Sequence, residues 1–212
     1  MIDLNVRLDA YDEPHQHFRG AGLISPADLA VLNASAPDET LFERIEKSSP
    51  DARRRYRSSV LPLLDDEKEI TPDPALLAPS WQRLAADLLS ADFADWIRRE
   101  TGVDTTDLGR TSAIFRHYDG DYQDLNTGKL HKRMHVELHI NDNWPSDGGG
   151  EWEFWAGPDR SAGPRDTMLP FGGTTLLYSA SKKSWHQMAP VSPGRGLVRL
   201  WVSFSFFDLA EQ

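Results

Sequence analysis

From Arg133 to Asn141 the chain reads Arg-Met-His-Val-Glu-Leu-His-Ile-Asn. Met134, Val136, Leu138 and Ile140 alternate with His135, Glu137 and His139. Successive side chains of a β-strand point to opposite faces, so the pattern predicts a strand with one apolar and one ionisable face. Imidazole and carboxylate are the groups that ligate metals and that carry protons near neutral pH. At i, i+2 and i+4 they converge if their face lines a pocket; if it meets solvent they are surface decoration. Same-face neighbours are about 6–7 Å apart at the backbone, so two imidazoles share a metal only by leaning together.

Composition narrows the chemistry. The 212 residues include no cysteine, which excludes disulfides, thiolate catalysis and thiolate metal sites. Any metal must be held by His, Asp or Glu, and there are seven histidines to supply it. A net charge of -10 and a pI of about 5.1 argue against a nucleic-acid groove, which needs a basic field. No apolar run approaches the ~20 residues that cross a bilayer. Met1 to Val6 lacks a basic-then-apolar leader pattern. The expectation is a cytoplasmic protein with a small-molecule substrate, without nucleic acid or membrane as a partner. The length suits a single domain, 1–212, with a sizeable core.

Along the chain, 18–23 reads as a short edge strand, and His15 and His17 beside Asp12 and Glu13 read as an exposed segment. Ser25-Pro26 is a helix start, an N-cap followed by Pro at the first helical position, and the helix is expected to reach Asn33. Residues 34–57 are polar. Their basic run Arg53-Arg54-Arg55-Tyr56-Arg57 reads as a solvated helix face, with contact to an anionic substrate as the alternative. Residues 62–79 hold Pro62, Pro72, Pro74 and Pro79 with Asp65, Asp66, Glu67 and Glu69, a loop composition. Pro79-Ser80 opens a helix with Trp81, Leu84 and Leu88 on its apolar face. Ser90 caps another with Phe93, Trp96 and Ile97, ended by Gly102. From Thr106 onward six β-rich runs follow, at 112–118, 133–141, 151–155, 174–178, 185–191 and 197–207, separated by Gly, Pro, Asn and Asp. The expected fold class is α+β, a mostly helical N-terminal half (1–105) packed on an antiparallel β-barrel (106–207).

Three pieces of the second half resemble the prolyl-4-hydroxylase-like branch of the 2-oxoglutarate/iron(II)-dependent dioxygenases. Leu138-His139-Ile140-Asn141, then Trp144 and Gly148-Gly149-Gly150-Glu151-Trp152, are similar to that family's strand, tryptophan and GGE hairpin. Pro170 to Tyr178 resembles the turn and strand leading to the distal histidine. Ser184-Trp185-His186 to Val191 resembles the segment carrying it, and Arg195 follows His186 by nine residues, as does the family's arginine for the far carboxylate of 2-oxoglutarate. The resemblance implies a double-stranded β-helix (a jelly-roll, cupin-like barrel) whose interior is the active site. It turns His135, Glu137 and His139 inward, puts His139 where a tyrosine often helps hold 2-oxoglutarate, and sets Arg199 on the same inner face as Arg195.

The family's iron is held by His-x-Asp and the distal His. The matching positions, after Tyr118-Asp119-Gly120-Asp121-Tyr122, are Asn126 and Gly128, so His186 alone remains of that triad. Halogenases of the family share the glycine but keep the first histidine. Three outcomes are open. Iron(II) and 2-oxoglutarate are retained with a re-sited metal on His186, His135 and Glu137, and with Arg195, His139 and Arg199 around the cofactor. Or the barrel has no cofactor and runs an elimination, isomerisation or cyclisation by acid–base chemistry, with Glu137 as base and His139 or His186 as acid. Or it binds a small ligand without turnover. The first leads, because His186 and Arg195 survive. His117 reads as structural, His131-Lys132 as a loop or substrate rim, and Trp152 and Trp155 as packing or pocket walls. Lys182-Lys183 reads as a solvated turn, with an anionic or carrier-protein-bound substrate as the alternative.

Overall fold

A computed structural model of the chain describes residues 1–49, 54–66, 73–141 and 143–209. In order the elements are β1 (Asp9–Tyr11), β2 (His17–Ala21), α1 (Pro26–Ala34), β3 (Glu43–Lys47), β4 (Tyr56–Asp65), α2 (Pro79–Leu88) and α3 (Ala91–Thr101), then β5 (Gly109–His117), β6 (Tyr122–Asn126), β7 (Lys132–His139), β8 (Trp152–Phe154), β9 (Asp166–Met168), β10 (Thr174–Tyr178), β11 (His186–Met188) and β12 (Arg199–Phe207). The strands form one antiparallel sheet in the order β1-β2-β10-β7-β12-β5-β4-β6-β11-β8-β9, with β3 added on β4. The sheet curls, so that Trp152 of β8 reaches Glu137 of β7 and His186 of β11 reaches Tyr178 of β10. The result is a jelly-roll half-barrel.

The alternation in β7 decides which way the barrel faces. Met134, Val136, Leu138 and Ile140 point outward. They join Val202, Phe204 and Phe206 of β12 and the buried faces of α1, α2 and α3, including Trp81, Phe93 and Trp96, in the main core. Each such side chain contributes roughly 1.5–3 kcal/mol by leaving water. The inner face holds a smaller cluster of Trp152, Phe154, Leu176, Tyr178, Met188 and Trp201. Both faces of β7 are therefore covered, and the ionisable face is the inner one.

The helix signals hold. Ser25 Oγ accepts from Asp28 N–H at 3.1 Å, and Ser90 Oγ accepts from Phe93 N–H at 3.2 Å. Gly102 closes α3 at φ +74°. The helical N-terminal half does not hold. α1, α2 and α3 have 9, 10 and 11 residues, and four strands precede Gly109. β3 and β4 form a hairpin that lends Ile45, Lys47, Tyr56 and Ser58 to the barrel cavity, and its Arg, Ser and Glu residues hide the strand period. Arg54 to Arg57 lead into this hairpin rather than forming a helix face, and β4 runs through Pro62 to Asp65 in the expected loop. The proline is tolerated because the β4–β5 register shifts between Pro62 and Leu64. Arg53, Glu67, Glu69 and Pro72 lie outside the described residues.

Two further expectations change. β2 is no edge strand, since β1 and β10 flank it. His15 and His17 are buried, not exposed. The His17 ring is stacked between Tyr11 at 5.0 Å and Phe154 at 4.3 Å, which an apolar packing site demands and a polar sequence context conceals. β6 and β9 add two strands to the six expected beyond Thr106. Among the described residues no helix is long and apolar enough to cross a membrane.

Candidate active site inside the barrel

β7 and β12 run antiparallel with His135 opposite Ser205, Glu137 opposite Ser203 and His139 opposite Trp201. The inward faces of the two strands thus meet as His135, Glu137, His139 against Arg199, Trp201, Ser203, Ser205. The register then shifts, with Phe206 opposite Met134 but Phe207 opposite Lys132. Such an irregularity re-aims side chains. Here Lys132 joins the inner face, and its Nζ donates to Ser205 Oγ at 2.9 Å.

From that ammonium a directional chain of hydrogen bonds runs to the barrel floor. Ser205 Oγ, which accepts from Lys132, donates to His135 Nδ1 at 2.7 Å. His135 Nε2–H donates to Glu137 Oε1 at 3.1 Å. Trp152 Nε1–H donates to Glu137 Oε2 at 2.5 Å, and Arg199 Nη2 stands 3.7 Å from the same oxygen. Burial alone would raise the Glu137 carboxyl, but the His135 bond and the Arg199 charge outweigh it and hold it well below the usual carboxylate range. Burial pushes His135 down against the pull of Glu137, so the imidazole is neutral with its Nδ1 lone pair toward Ser205. Burial, reinforced by the Arg54 and Lys129 charges, pushes Lys132 down to about 8.

His139 is locked differently. Thr174 Oγ1 donates to the Phe171 carbonyl, so His139 Nδ1–H donates to Thr174 Oγ1 at 2.8 Å. His139 Nε2 then accepts from Arg199 Nη2 at 3.1 Å, and burial takes the ring down to about 4. Arg199 is fully buried, lies 4.3 Å over the Trp201 ring, and its Nη1 meets Met188 Sδ.

Above this floor is a cavity of about 390 Å3. Aromatic rings of Tyr56, Phe115, Tyr178 and Trp201 form walls. Lys47, Arg54, Lys129 and Lys132 line it, against Glu137 as the one lining carboxylate among the described residues. In a chain of net charge -10, this is a local concentration of positive charge. Arg54 donates to Gln123 Oε1, and its buried Nε has no partner among the described residues.

The structure brings together Asn126, Gly128 and His186. Asn126 pairs with His186 across β6 and β11, and a Cβ on Gly128 would stand 3.7 Å from His186 Cε1. Their chemistry does not fit iron. The Asn126 carboxamide is spent on Gly128 N–H at 2.8 Å and the Asp124 carbonyl at 2.7 Å. His186 Nδ1–H donates to the Ser184 carbonyl at 2.7 Å, and its Nε2 accepts from Tyr178 Oη at 3.2 Å. The re-sited centre on His186, His135 and Glu137 is not assembled either. The Tyr178 ring packs against both imidazoles, 5.0 Å from His135 and 4.8 Å from His186, and its hydroxyl takes the Nε2 of His186. Among the described residues no group of three or more His, Asp or Glu could hold a metal ion.

Arg195 does not reach the cavity. It sits on an exposed turn and pairs with Asp147 at 2.5 Å. Arg199, thirteen residues after His186 and the first residue of β12, is the one of the two that is buried in the barrel. Its Nη2 is engaged by His139 and Glu137, while its buried Nε has no hydrogen-bond partner among the described residues. The expected grip by Arg195 is not formed, because that side chain pairs with Asp147 outside the cavity. His117, read as structural, lines the cavity with its ring 4.5 Å from Trp201. Lys182 and Lys183 are exposed on a turn.

Sequence reasoning did not single out Ser205 or Tyr178 as parts of the site; it gave Arg54 within a basic run whose alternative reading was contact with an anionic substrate, and it left Lys132 on a rim. The period of two along β12 carried a signal for Ser205, since Arg199, Trp201, Ser203 and Ser205 share one face. Lys132 is out of phase with His135, and only the register shift puts it inside.

No protein-family model matches the chain, and no curated protein matches its sequence. Solved structures do match. A prolyl-4-hydroxylase from Pseudomonas putida superposes with a TM-score of 0.60 at 12% identity, over 92% of this chain and 93% of that one. A 2OG-Fe(II) oxygenase-family oxidoreductase from Burkholderia pseudomallei gives 0.57 at 14%, over 85% and 78%. The non-heme alpha-ketoglutarate-dependent epimerase SnoN from nogalamycin biosynthesis gives 0.54 at 13%, over 91% and 78%. At these identities the likeness is one of fold: the chain has the jelly-roll of the prolyl-hydroxylase-like 2OG-Fe(II) oxygenases.

Proposed function

We propose that this chain is an enzyme that carries out acid–base chemistry on an anionic small molecule inside an oxygenase-type barrel. The observation that carries the reading is the buried pair of ionised Glu137 and neutral His135 on the floor of a cationic cavity. Glu137 orients the imidazole and stabilises its protonated form. The Nδ1 lone pair of His135 takes a proton relayed through Ser205. Arg54 and Lys129 hold the substrate's anionic group, and the aromatic walls exclude water from the reacting carbon. Proton abstraction leading to isomerisation, elimination or cyclisation is the matching reaction class.

Glu137 therefore serves as the partner of the base, with His135 as the base itself. His139 and His186 stay neutral within their hydrogen-bond networks. The oxygenase alternative is supported by the shared fold and by the convergence of positions 126, 128 and 186, and opposed by the donor set there. A calorimetric titration of small carboxylates and phosphates, with and without EDTA, tests the reading. Binding is expected to survive EDTA and to weaken roughly tenfold or more in Arg54→Gln, the scale of one charged hydrogen-bond partner. Binding that requires added Fe(II) and is blind to Arg54 would support the oxygenase instead.

A further inference from the structure

We propose that Lys132 is an amine nucleophile that forms an imine with a small anionic aldehyde or ketone, an assignment that rests on the anion-binding cavity proposed above. The register shift opposite Phe207 turns this side chain onto the inner face. Among the described residues its Nζ is bonded to a neutral hydroxyl, Ser205 Oγ, and to no carboxylate. Lys132 is half-buried, and lysines drawn out of water are mostly neutralised by an acid. This one lines a cavity beside two further cations, Arg54 and Lys129. A lysine desolvated next to like charge is poised to act as the free amine.

The charged and titratable groups acting on Lys132 are Arg54 and Lys129, which oppose its protonation, and Glu137 and Asp65, which favour it. His135 acts through Ser205. With an amine pushed down to about 8, roughly half of Lys132 is unprotonated at pH 8, against under about one per cent of an ordinary lysine.

The step balances without an oxidant or reductant. The Nζ lone pair forms the N–C bond to the carbonyl carbon. The carbonyl oxygen then leaves as water, carrying one proton from the amine and one taken up from solvent through Ser205, so that amine, carbonyl and one proton become a protonated imine and water. The product is a protonated imine, which draws electrons from the adjacent C–H bond. A proton lost from that carbon is the one the His135–Glu137 pair is placed to accept. Arg54 and Lys129 select carbonyl compounds with a carboxylate or phosphate.

The test is reductive trapping. The full chain is incubated with pyruvate, glyoxylate or dihydroxyacetone phosphate and sodium cyanoborohydride at pH 8, then mapped by peptide mass spectrometry. The expected result is an adduct on Lys132 at least roughly tenfold above Lys182 and Lys183, following the difference in free amine. The oxo-acid and phosphate arms show which anion is preferred. Lys132→Arg, which keeps the charge, is expected to abolish the adduct. Lys182→Arg with Lys183→Arg is expected to leave it unchanged. Labelling spread over exposed lysines, or unaffected by Lys132→Arg, overturns the proposal. Anion binding that depends on Arg54 without any Lys132 adduct overturns the imine while sparing the acid–base reading. Loss of both removes the two together.

Discussion

Glu137→Gln removes the charge around which the barrel floor is arranged. At 3.7 Å from Arg199 and an effective dielectric of ~20, the pair attracts by about 4–5 kcal/mol. Removing one partner of a buried pair costs about 3–5 kcal/mol, because the other charge is left uncompensated. Glutamine can still accept from Trp152, but its amide N–H groups face His135 Nε2–H, so the imidazole must move its proton to Nδ1, which reverses the Ser205 bond and removes the lone pair that served as the base. For a chain of this size, about 2–4 °C per kcal/mol gives a fall in Tm of about 10 °C at pH 7. The sign with pH follows from a folded-state pKa held below the unfolded value of 4.5. The stabilisation is fully present above that value and is lost as pH falls through the folded pKa. The gap between wild type and variant therefore narrows on acidification. Differential scanning calorimetry from pH 3 to 8 measures it. The double variant Glu137→Gln with Arg199→Met should recover much of the loss, because neither charge is then stranded. A Tm change below about 2 °C for the single variant, or a double variant no better than the sum of the singles, refutes the reasoning.

Other outcomes follow from the same geometry. Arg195→Ala should leave Tm nearly unchanged and anion binding intact, since its partner Asp147 is on the surface; scanning calorimetry checks the first and calorimetric titration the second. Lys132→Met should raise stability at pH 7 by up to about 3 kcal/mol, because the folded state holds the amine at about 8 against an ordinary value of 10.5. That advantage should shrink as pH rises through 8 toward 10.5, which urea melts at pH 6, 8 and 10 would show. Asn126→His with Gly128→Asp should create an iron(II) or nickel(II) site with His186, seen by elemental analysis, because a side chain at 128 starts 3.7 Å from that ring.

The outline of the fold was legible where local patterning and burial agree. Ser25, Ser90 and Gly102 mark helix ends by chemistry that acts within a few residues. The alternation in β7 and the spacing of Trp144, the glycines and Glu151 identified the barrel. Gly149 shows why the glycine run is needed there: φ is +65°, and a Cβ would stand 2.2 Å from the Pro190 carbonyl. β3 and β4 were not legible, because β3 is almost wholly exposed and Arg, Ser and Glu residues mask the period of both strands. Burial of His15 and His17 depends on Phe154, more than a hundred residues away. In the site, Glu137, His135 and His139 were found because they lie on one regular strand. Lys132 was missed because a register shift breaks the period. A residue count from His186 led to Arg195 for the far carboxylate, with Arg199 on the same inner face; only Arg199 lies inside, because Arg195 sits on an exposed turn.

Hydrogen–deuterium exchange at carbon, followed by NMR, bears most directly on what the barrel does. The full chain would be incubated in D2O with pyruvate and a panel of small oxo acids, in the presence of EDTA. Exchange beside the carbonyl should proceed with EDTA present and disappear in Glu137→Gln assayed below its melting temperature. Exchange with none of the panel, or exchange that appears only when Fe(II) is supplied, would contradict acid–base catalysis by the His135–Glu137 pair.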